Sequence, residues 1–324
     1  MGEYHMGTGF EATHANRSEA RQKMFRKALN QRYLYFMILP AIAVVITFNY
    51  VPLFGWAIAF INYRPGFSLW QSDWTGLEQF KSFFMQSDDY IHVLRNTLAM
   101  NVGSLFFNLV SAFFFTILLN EIRIKLFGKI IQTATFFPFF VSWVIIYTLV
   151  NALFAPSSGA VNETLVNWGI LEEGLNILGD KKYSWPLMIF LGNWKYLGYN
   201  TVIFLAAIAA ISNEEYEAAD IEGANRFQKI RYITIPNLMP TAIVLLILNS
   251  GWVLNSSLES FFLFTNTANW ETMEVFDMYI YKFGLQLLNY PYATAVGIMK
   301  TFASILLLLS VNAIAKRSTG KSIL

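Results

Sequence analysis

The chain has 324 residues, of which 55% are hydrophobic, 17% aromatic and only 14% charged. A soluble domain carries about 25% charged residues, so the main solvent of this chain is lipid. The absence of cysteine excludes disulfides, thiolate metal sites and cysteine nucleophiles; the three histidines, His5, His14 and His92, lack HExxH spacing; and a net charge of +2 gives no bulk attraction to nucleic acid.

Residues 1–32 are polar and end in a basic cluster of Arg17, Arg21, Lys23, Arg26, Lys27 and Arg32. The apolar run that follows is too long for a signal core and lacks a small-residue cleavage site, so residues 1–32 read as a disordered or loosely helical tail. The first membrane helix is expected over 33–61. A core over 62–315 carries five more, at roughly 94–119, 130–153, 185–211, 239–264 and 292–315, each long enough at about 1.5 Å per residue to cross about 30 Å of hydrocarbon. Polar residues interrupt the third and fifth, and Pro40, Pro52 and Pro138 read as kinks within spans. Residues 316–324 form a short C-terminal tail. The fold class is all-α, an integral membrane protein with six transmembrane helices.

Charge sets the direction. Lys and Arg concentrate in the N-terminal tail, in the 120–129 loop (Arg123, Lys125, Lys129), in the 212–236 loop (Arg226, Lys229, Arg231) and in the C-terminal tail (Lys316, Arg317, Lys321). These regions alternate along the chain, while the intervening loops are acidic, with Asp73, Asp88, Asp89, Glu163, Glu172, Glu173, Glu271, Glu274 and Asp277. Basic loops stay cytoplasmic, so both termini and the 212–236 loop are expected on that side.

That loop reads as a helical hairpin. Ser212 with Glu215 has capping-box spacing, Asn213 to Glu222 forms a short helix, and Glu214, Glu215 and Glu217 favour its positive N-terminal end. Ala218 and Ala219 leave a low patch that another backbone could approach. Gly223 is placed to take the left-handed conformation and turn the chain. A second amphipathic segment carries Phe227, Ile230 and Ile233 or Thr234 at helical spacing; Pro236 is expected to end it and Pro240 to start the fifth span. A flat interfacial helix is the alternative.

The spacing Glu217-Ala218-Ala219, three residues, Gly223, nine residues, Ile233, one residue, Ile235-Pro236 resembles the cytoplasmic signature of permease subunits of binding-protein-dependent ABC importers, in the maltose-type carbohydrate group. The chain departs from it at Ile235, where Leu is usual, and at Glu222, where Asp often precedes the glycine. Supporting matches are Asn96-Thr97, Leu118-Leu119-Asn120, Phe136-Phe137-Pro138 with Ser142, and the loop pattern Gly159, Asn162, Leu165, Gly169. The resemblance implies the type I importer permease architecture, a pairing with a second permease, two ATPase subunits that bind ATP and Mg, and an extracytoplasmic substrate-binding protein. It assigns Glu217, Ala218, Ala219, Gly223, Ile233 and Pro236 to ATPase coupling, and it implies no cofactor on this chain and a place in the bacterial inner membrane. Gly320-Lys321-Ser322 is no phosphate-binding loop, because the first glycine of that motif falls on Ala315 and no helix can follow. ATP hydrolysis is therefore expected on a partner.

Ionisable residues inside spans are costly and face a cavity or a partner. Lys195, Glu259 and Lys300 are the three here. Asn193, Trp194, Lys195, Tyr196 and Tyr199 mix aromatic faces with polar groups as sugar rings require; Asn249, Trp252, Asn255 and Lys300 join them as candidate pathway residues. Pairing of Lys195 with Glu259, or helix–helix hydrogen bonding by the fifth-span amides, accounts for the same residues structurally. The tail and the first-span pattern resemble the polysaccharide-fragment subgroup, which includes alginate importers. With two lysines in spans, an acidic oligosaccharide such as an alginate fragment is the expected cargo, with a neutral oligosaccharide as alternative. A passive channel would not need the hairpin, and an intramembrane enzyme would need a catalytic constellation that His92 alone does not supply. In the 155–185 loop, Leu165, Trp168 and Ile170 either contact the binding protein or pack as a short interfacial helix.

Overall fold

The computed structural model describes residues 31–85 and 89–319. Most of the basic N-terminal tail, Asp88 and the Gly320-Lys321-Ser322 end lie outside the described residues. Two compact units divide at Ala57 and Ile58. The described residues are helical apart from loops and one isolated antiparallel bridge, Ile61 with Trp74.

The first helical stretch is α1, Arg32–Phe60. It runs through Pro40, widens into a π turn at Ile46–Tyr50, where Val51 N–H donates to Ile46 O, and tightens before Phe60. Pro52 follows the π turn by two residues. A proline ring clashes with the carbonyl four residues back, here Phe48, and a widened turn moves that carbonyl aside.

Within the second unit come the short helix α2, Glu78–Met85, and then α3, Asp89–Asn120. Next come α4, Lys125–Phe140, and α5, Trp143–Phe154, which meet at 103°. The third span is therefore broken, not merely kinked. Pro138 lies in the tight final turn of α4, and Ser142 caps α5 by accepting from Ile145 N at 3.4 Å. A proline stop and a serine start two residues past that final turn leave no helical path between them.

Helix α6, Ala160–Asn167, belongs to the following loop, and α7 spans Lys181–Ala209. Asn162 organises that loop. Buried, it donates to Phe154 O, Ala155 O and Leu175 O at 2.9–3.1 Å and accepts from Leu175 N at 3.0 Å. Gly169, at φ +69°, ends α6, leaving Trp168 and Ile170 exposed.

The short helix α8, Asn213–Ile221, leads into α9, Arg226–Ser250. The fifth expected span, 239–264, is not one helix: α9 ends at Ser250, and the chain unwinds to α10, Leu258–Phe264. Short helices α11, Trp270–Met273, and α12, Phe276–Tyr281, precede the final helix α13, Tyr290–Thr319. Among the described residues four helices (α1, α3, α9 and α13) are long and apolar enough to cross a membrane, and up to six spans result when α4–α5 and α7–α8 each count as one bent unit.

Three apolar clusters hold the second unit. Met100, Trp143, Ile146, Met188, Leu191 and Phe264 join α3, α5, α7 and α10. Phe83, Val93, Phe276, Tyr279, Tyr292 and Val296 join α2, α3, α12 and α13. Ala112, Ile117, Phe204, Ile208, Leu238 and Ala242 join α3, α7 and α9. Helix α3 contributes to all three because its buried residues recur three and four apart.

Candidate functional site

The hairpin folds as its local chemistry dictates, with two corrections. Ser212 caps α8 by accepting from Glu214 N at 3.2 Å, but Glu215 does not close the expected box; its carboxylate accepts from Asn237 Nδ2 at 3.0 Å instead. The capping box lies one element later, where Asn225 accepts from Gln228 N at 3.0 Å and Gln228 accepts from Asn225 N at 2.7 Å. Between them Gly223 has φ +77°, with Gly223 N donating to Asp220 O and Ala224 N to Ala219 O. That pair of bonds is a Schellman stop.

The second correction concerns Pro236, which does not end the hairpin's second arm. Ile235 N–H donates to Ile230 O across a π turn at Ile230–Thr234, and the carbonyl four residues before Pro236, that of Tyr232, lies inside the widened turn. The arm thus continues into the membrane helix as the single element α9.

Side chains fix the hairpin. Tyr216 OH bonds Thr234 Oγ1 at 2.9 Å, Lys229 pairs with Asp220, and Arg226 ties the hairpin to the end of α3 through Glu121 at 2.6 Å. A groove between the arms is lined by Ala218, Ala219, Gly223 and Ile233 among others, while Glu217 and Pro236 are exposed. Ile221 is 89% exposed and Phe227 69%.

The second site is an open cavity of 390 Å³ among α3, α7 and α9. Its wall holds Asn101, Ser104 and Asn108 from α3, Tyr196, Tyr199, Asn200 and Phe204 from α7, and Asn249, Trp252 and Asn255 from α9 and its unwound end, with Leu105, Leu109, Leu245 and Val253 between them. Among these residues none is charged. Asn101 also steadies the unwound segment by donating to Val253 O at 2.7 Å and to Ser256 Oγ at 2.9 Å. Asn249 Nδ2 donates to its own helix at Leu245 O, 2.8 Å, and Asn200 Nδ2 reaches Asn108 Oδ1 at 3.5 Å.

Five of the nine expected pathway residues meet at this wall: Tyr196, Tyr199, Asn249, Trp252 and Asn255. Four do not. Asn193 is buried and accepts from Ser111 Oγ at 2.6 Å, and Trp194 is partly exposed away from the wall. Lys195 does not pair with Glu259; its ammonium donates to Pro138 O at 3.4 Å, to Phe139 O at 3.0 Å and to Val141 O, all at the α4–α5 break. Lys300 pairs with Asp277 at 2.6 Å, and the other carboxylate oxygen accepts from Ser256 N at 2.7 Å. Both lysines thus satisfy broken backbone or a partly buried acid within the chain. The wall residues not expected are chiefly those of α3. Their signal was present, because Asn101, Ser104, Asn108 and Ser111 form a polar stripe at helical spacing in an apolar helix.

At the far ends of α3 and α7, buried Glu274 lies 3.0 Å from both His92 Nε2 and Lys282 Nζ, and Asn96 Nδ2 donates to Glu271 O at 2.8 Å and Glu274 O at 3.1 Å. Lys181 pairs with Glu271, and this bond and charge hold the Glu271 carboxyl below the usual glutamate range. His92 is thereby engaged by a hydrogen bond to Glu274 that joins α3 to the loop before α12.

The chain belongs to the family of binding-protein-dependent transport system inner membrane components, whose model matches residues 119–320. It is 36% identical over 286 residues to Protein LplB of Bacillus subtilis, covering 88% of this chain and 89% of that protein. It is also 36% identical over 301 residues to the polygalacturonan/rhamnogalacturonan transport system permease protein YteP of Bacillus subtilis, covering 93% of each. Its structure is similar to a chain of a bacterial ABC transporter involved in the import of the acidic polysaccharide alginate, with TM-score 0.83 and 32% identity over 92% of this chain and 99% of that one. A chain of the bacterial alginate ABC transporter in complex with alginate pentasaccharide-bound periplasmic protein gives TM-score 0.84 at 32% identity, over 93% and 100%. The protein is a sugar ABC importer permease, a multi-pass inner-membrane transporter subunit and not an enzyme.

Proposed function

We propose that this permease carries an acidic oligosaccharide, of the alginate or polygalacturonate kind, through the cavity among α3, α7 and α9. The observation that carries the pathway is its wall of five asparagines with Tyr196, Tyr199 and Trp252. Aromatic faces pack on sugar rings and amides bond hydroxyl edges. The names of YteP and of the alginate importer support the acidic cargo. Lys195 and Lys300 do not support it, since both are engaged inside the chain. The uncharged wall favours a second reading, a neutral oligosaccharide, with any acid selectivity residing in a partner.

In the same proposal the hairpin is the coupling element. Glu217, Ala218, Ala219 and Gly223, with Ile233 and Pro236 behind them, receive one of two ATPase subunits that bind ATP and Mg; this chain holds no cofactor. Exposed Ile221 and Phe227, and Glu217, which is exposed and has no ion pair among the described residues, support a protein partner on that face, and the basic loops support cytoplasmic termini. A second permease completes the pathway, and an extracytoplasmic binding protein delivers the sugar; the alginate transporter in complex with a pentasaccharide-bound periplasmic protein supports a partner of that kind.

The test is uptake by cells whose only copy of the importer contains this chain, comparing labelled oligogalacturonate or alginate fragments with neutral arabino-oligosaccharides. Preferential acidic uptake that falls in Asn108→Leu and Asn249→Leu is expected. Neutral uptake alone would establish the second reading, and full transport by both variants would remove the cavity from the pathway.

A further inference from the structure

At the α4–α5 break Pro138 O accepts from Val141 N at 3.1 Å, while no backbone N–H reaches Phe139 O or Val141 O among the described residues, in a segment whose length and apolar character suit a membrane span. These carbonyls also sit at the negative end of α4. Such a half-helix terminus is a cation site in chemical terms. Here the cation is supplied by the chain: the Lys195 ammonium has three N–H donors, and Pro138 O, Phe139 O and Val141 O accept them. Lys195 is 7% exposed and has no carboxylate within ion-pair distance among the described residues.

The same turn of α7 carries the other contacts with the break. A Cβ on Gly198 would meet Thr135 O at 2.4 Å and Phe136 Cα at 2.5 Å, so the two backbones touch there and only glycine fits. Tyr199, one turn beyond Lys195, stacks on Phe139 with ring centroids 4.8 Å apart and planes 12° from parallel. Tyr199 and Tyr196 then face the cavity.

We propose that Lys195 is a positioning residue for transport: by holding the carbonyls on either side of the break it seats Phe139 against Tyr199 and fixes the aromatic wall over which sugar rings pass. This rests on the reading of the cavity as the sugar pathway. Lys195 acts through the wall and does not touch the sugar.

The test is concentration-dependent uptake by whole cells, corrected for the amount of permease in the membrane. Lys195→Met, of similar length but without donors, raises KM about tenfold with a smaller change in maximal rate. Lys195→Arg, which keeps donors, recovers most of that loss. Phe139→Leu raises KM in the same way, and the double variant Lys195→Met/Phe139→Leu is no worse than Lys195→Met alone. Additive losses would overturn the inference, because they would mean that Lys195 acts independently of the Phe139–Tyr199 stack. Should Lys195→Met fail to reach the membrane, Phe139→Leu decides alone, and an unchanged KM there overturns it. Asn108→Leu and Asn249→Leu separate the two layers: if they leave uptake intact, the pathway reading has failed irrespective of Lys195.

Discussion

Gly223 offers a clean test of the coupling hairpin, since two explanations of a glycine at this turn predict opposite orders of substitution. One is conformational: φ is +77°, and an L-residue with a Cβ pays roughly 1–2 kcal/mol to adopt the left-handed region, with Asn tolerated better than Ala. The other is spatial, a need for room where a partner's backbone approaches. Within this chain a Cβ at Gly223 meets nothing within 4 Å, so any intrinsic cost is backbone strain. Strain of 1–2 kcal/mol lowers the population of the correctly turned hairpin roughly 5- to 30-fold relative to the frayed one. Copurification of the ATPase and substrate-stimulated ATP hydrolysis should therefore fall in the order Gly, Asn, Ala, Val at position 223, with Gly223→Asn close to the parent. The reasoning is refuted if Gly223→Ala is better tolerated than Gly223→Asn, because Asn is the larger side chain and only crowding by a partner would produce that order.

Other perturbations follow from the same geometry. Arg226→Ala removes an ion pair with Glu121 between side chains 54% and 31% exposed; exposed pairs contribute about 0.2–1 kcal/mol, so ATPase binding should weaken by less than about fivefold, and a larger loss would place Arg226 in direct contact with the ATPase. Asn162→Leu leaves Phe154 O, Leu175 O and Leu175 N of a partly buried loop without that partner, Ala155 O still accepting from Gly159 N, at about 1–3 kcal/mol per unpaired group, so the amount of permease in membranes should fall severalfold; parental amounts would mean that water fills the site. Lys181 lowers the carboxyl pKa of Glu271 in the folded state, so that pair's contribution is complete above the ordinary glutamate value and is lost as pH falls through the depressed one. Protease sensitivity of the 265–275 loop should accordingly rise at acidic pH in the parent, and a Lys181→Ala variant should begin that rise at higher pH.

Much of this was legible because hydropathy and loop charge are properties of segments, and segments suffice to place spans. Helices α3, α7 and α13 fall where their apolar runs lie, and the glycine of the hairpin turns as its spacing requires. The breaks were less legible. Pro138 reads as a kink, and only together with the Ser142 cap does it become a 103° bend. Pro236 reads as a stop, whereas a π turn carries α9 past it. The Asn225–Gln228 spacing closes a capping box, whereas the Ser212–Glu215 spacing does not, because the glutamate is drawn off by Asn237 from a distant turn of α9. Lys195 and Lys300 were the hardest to place. A charge in an apolar run announces that it needs a partner, but sequence shows neither the carbonyls freed by a break nor an acid on a neighbouring short helix.

The continuity of α9 links the two sites. Ile233 lines the hairpin groove and Asn249 lines the cavity, and both lie on one helix 16 residues apart, about 24 Å at 1.5 Å per residue. Had Pro236 ended the arm, a push on the hairpin would have been absorbed in a flexible joint. Instead the arm is clamped at its base by the Tyr216–Thr234 bond and by the buried Leu238 and Ala242 against α3 and α7. On the proposed coupling role, a displacement of α8 and its turn would pass to the cavity wall as a tilt of α9, and the unwound segment after Ser250, held by Asn101 and by Asp277, would take up that tilt. In that role the broken fifth span has two parts: a continuous helix that reaches from the hairpin to the cavity wall, and an unwound segment beyond Ser250 that would let the far side of the molecule stay in place.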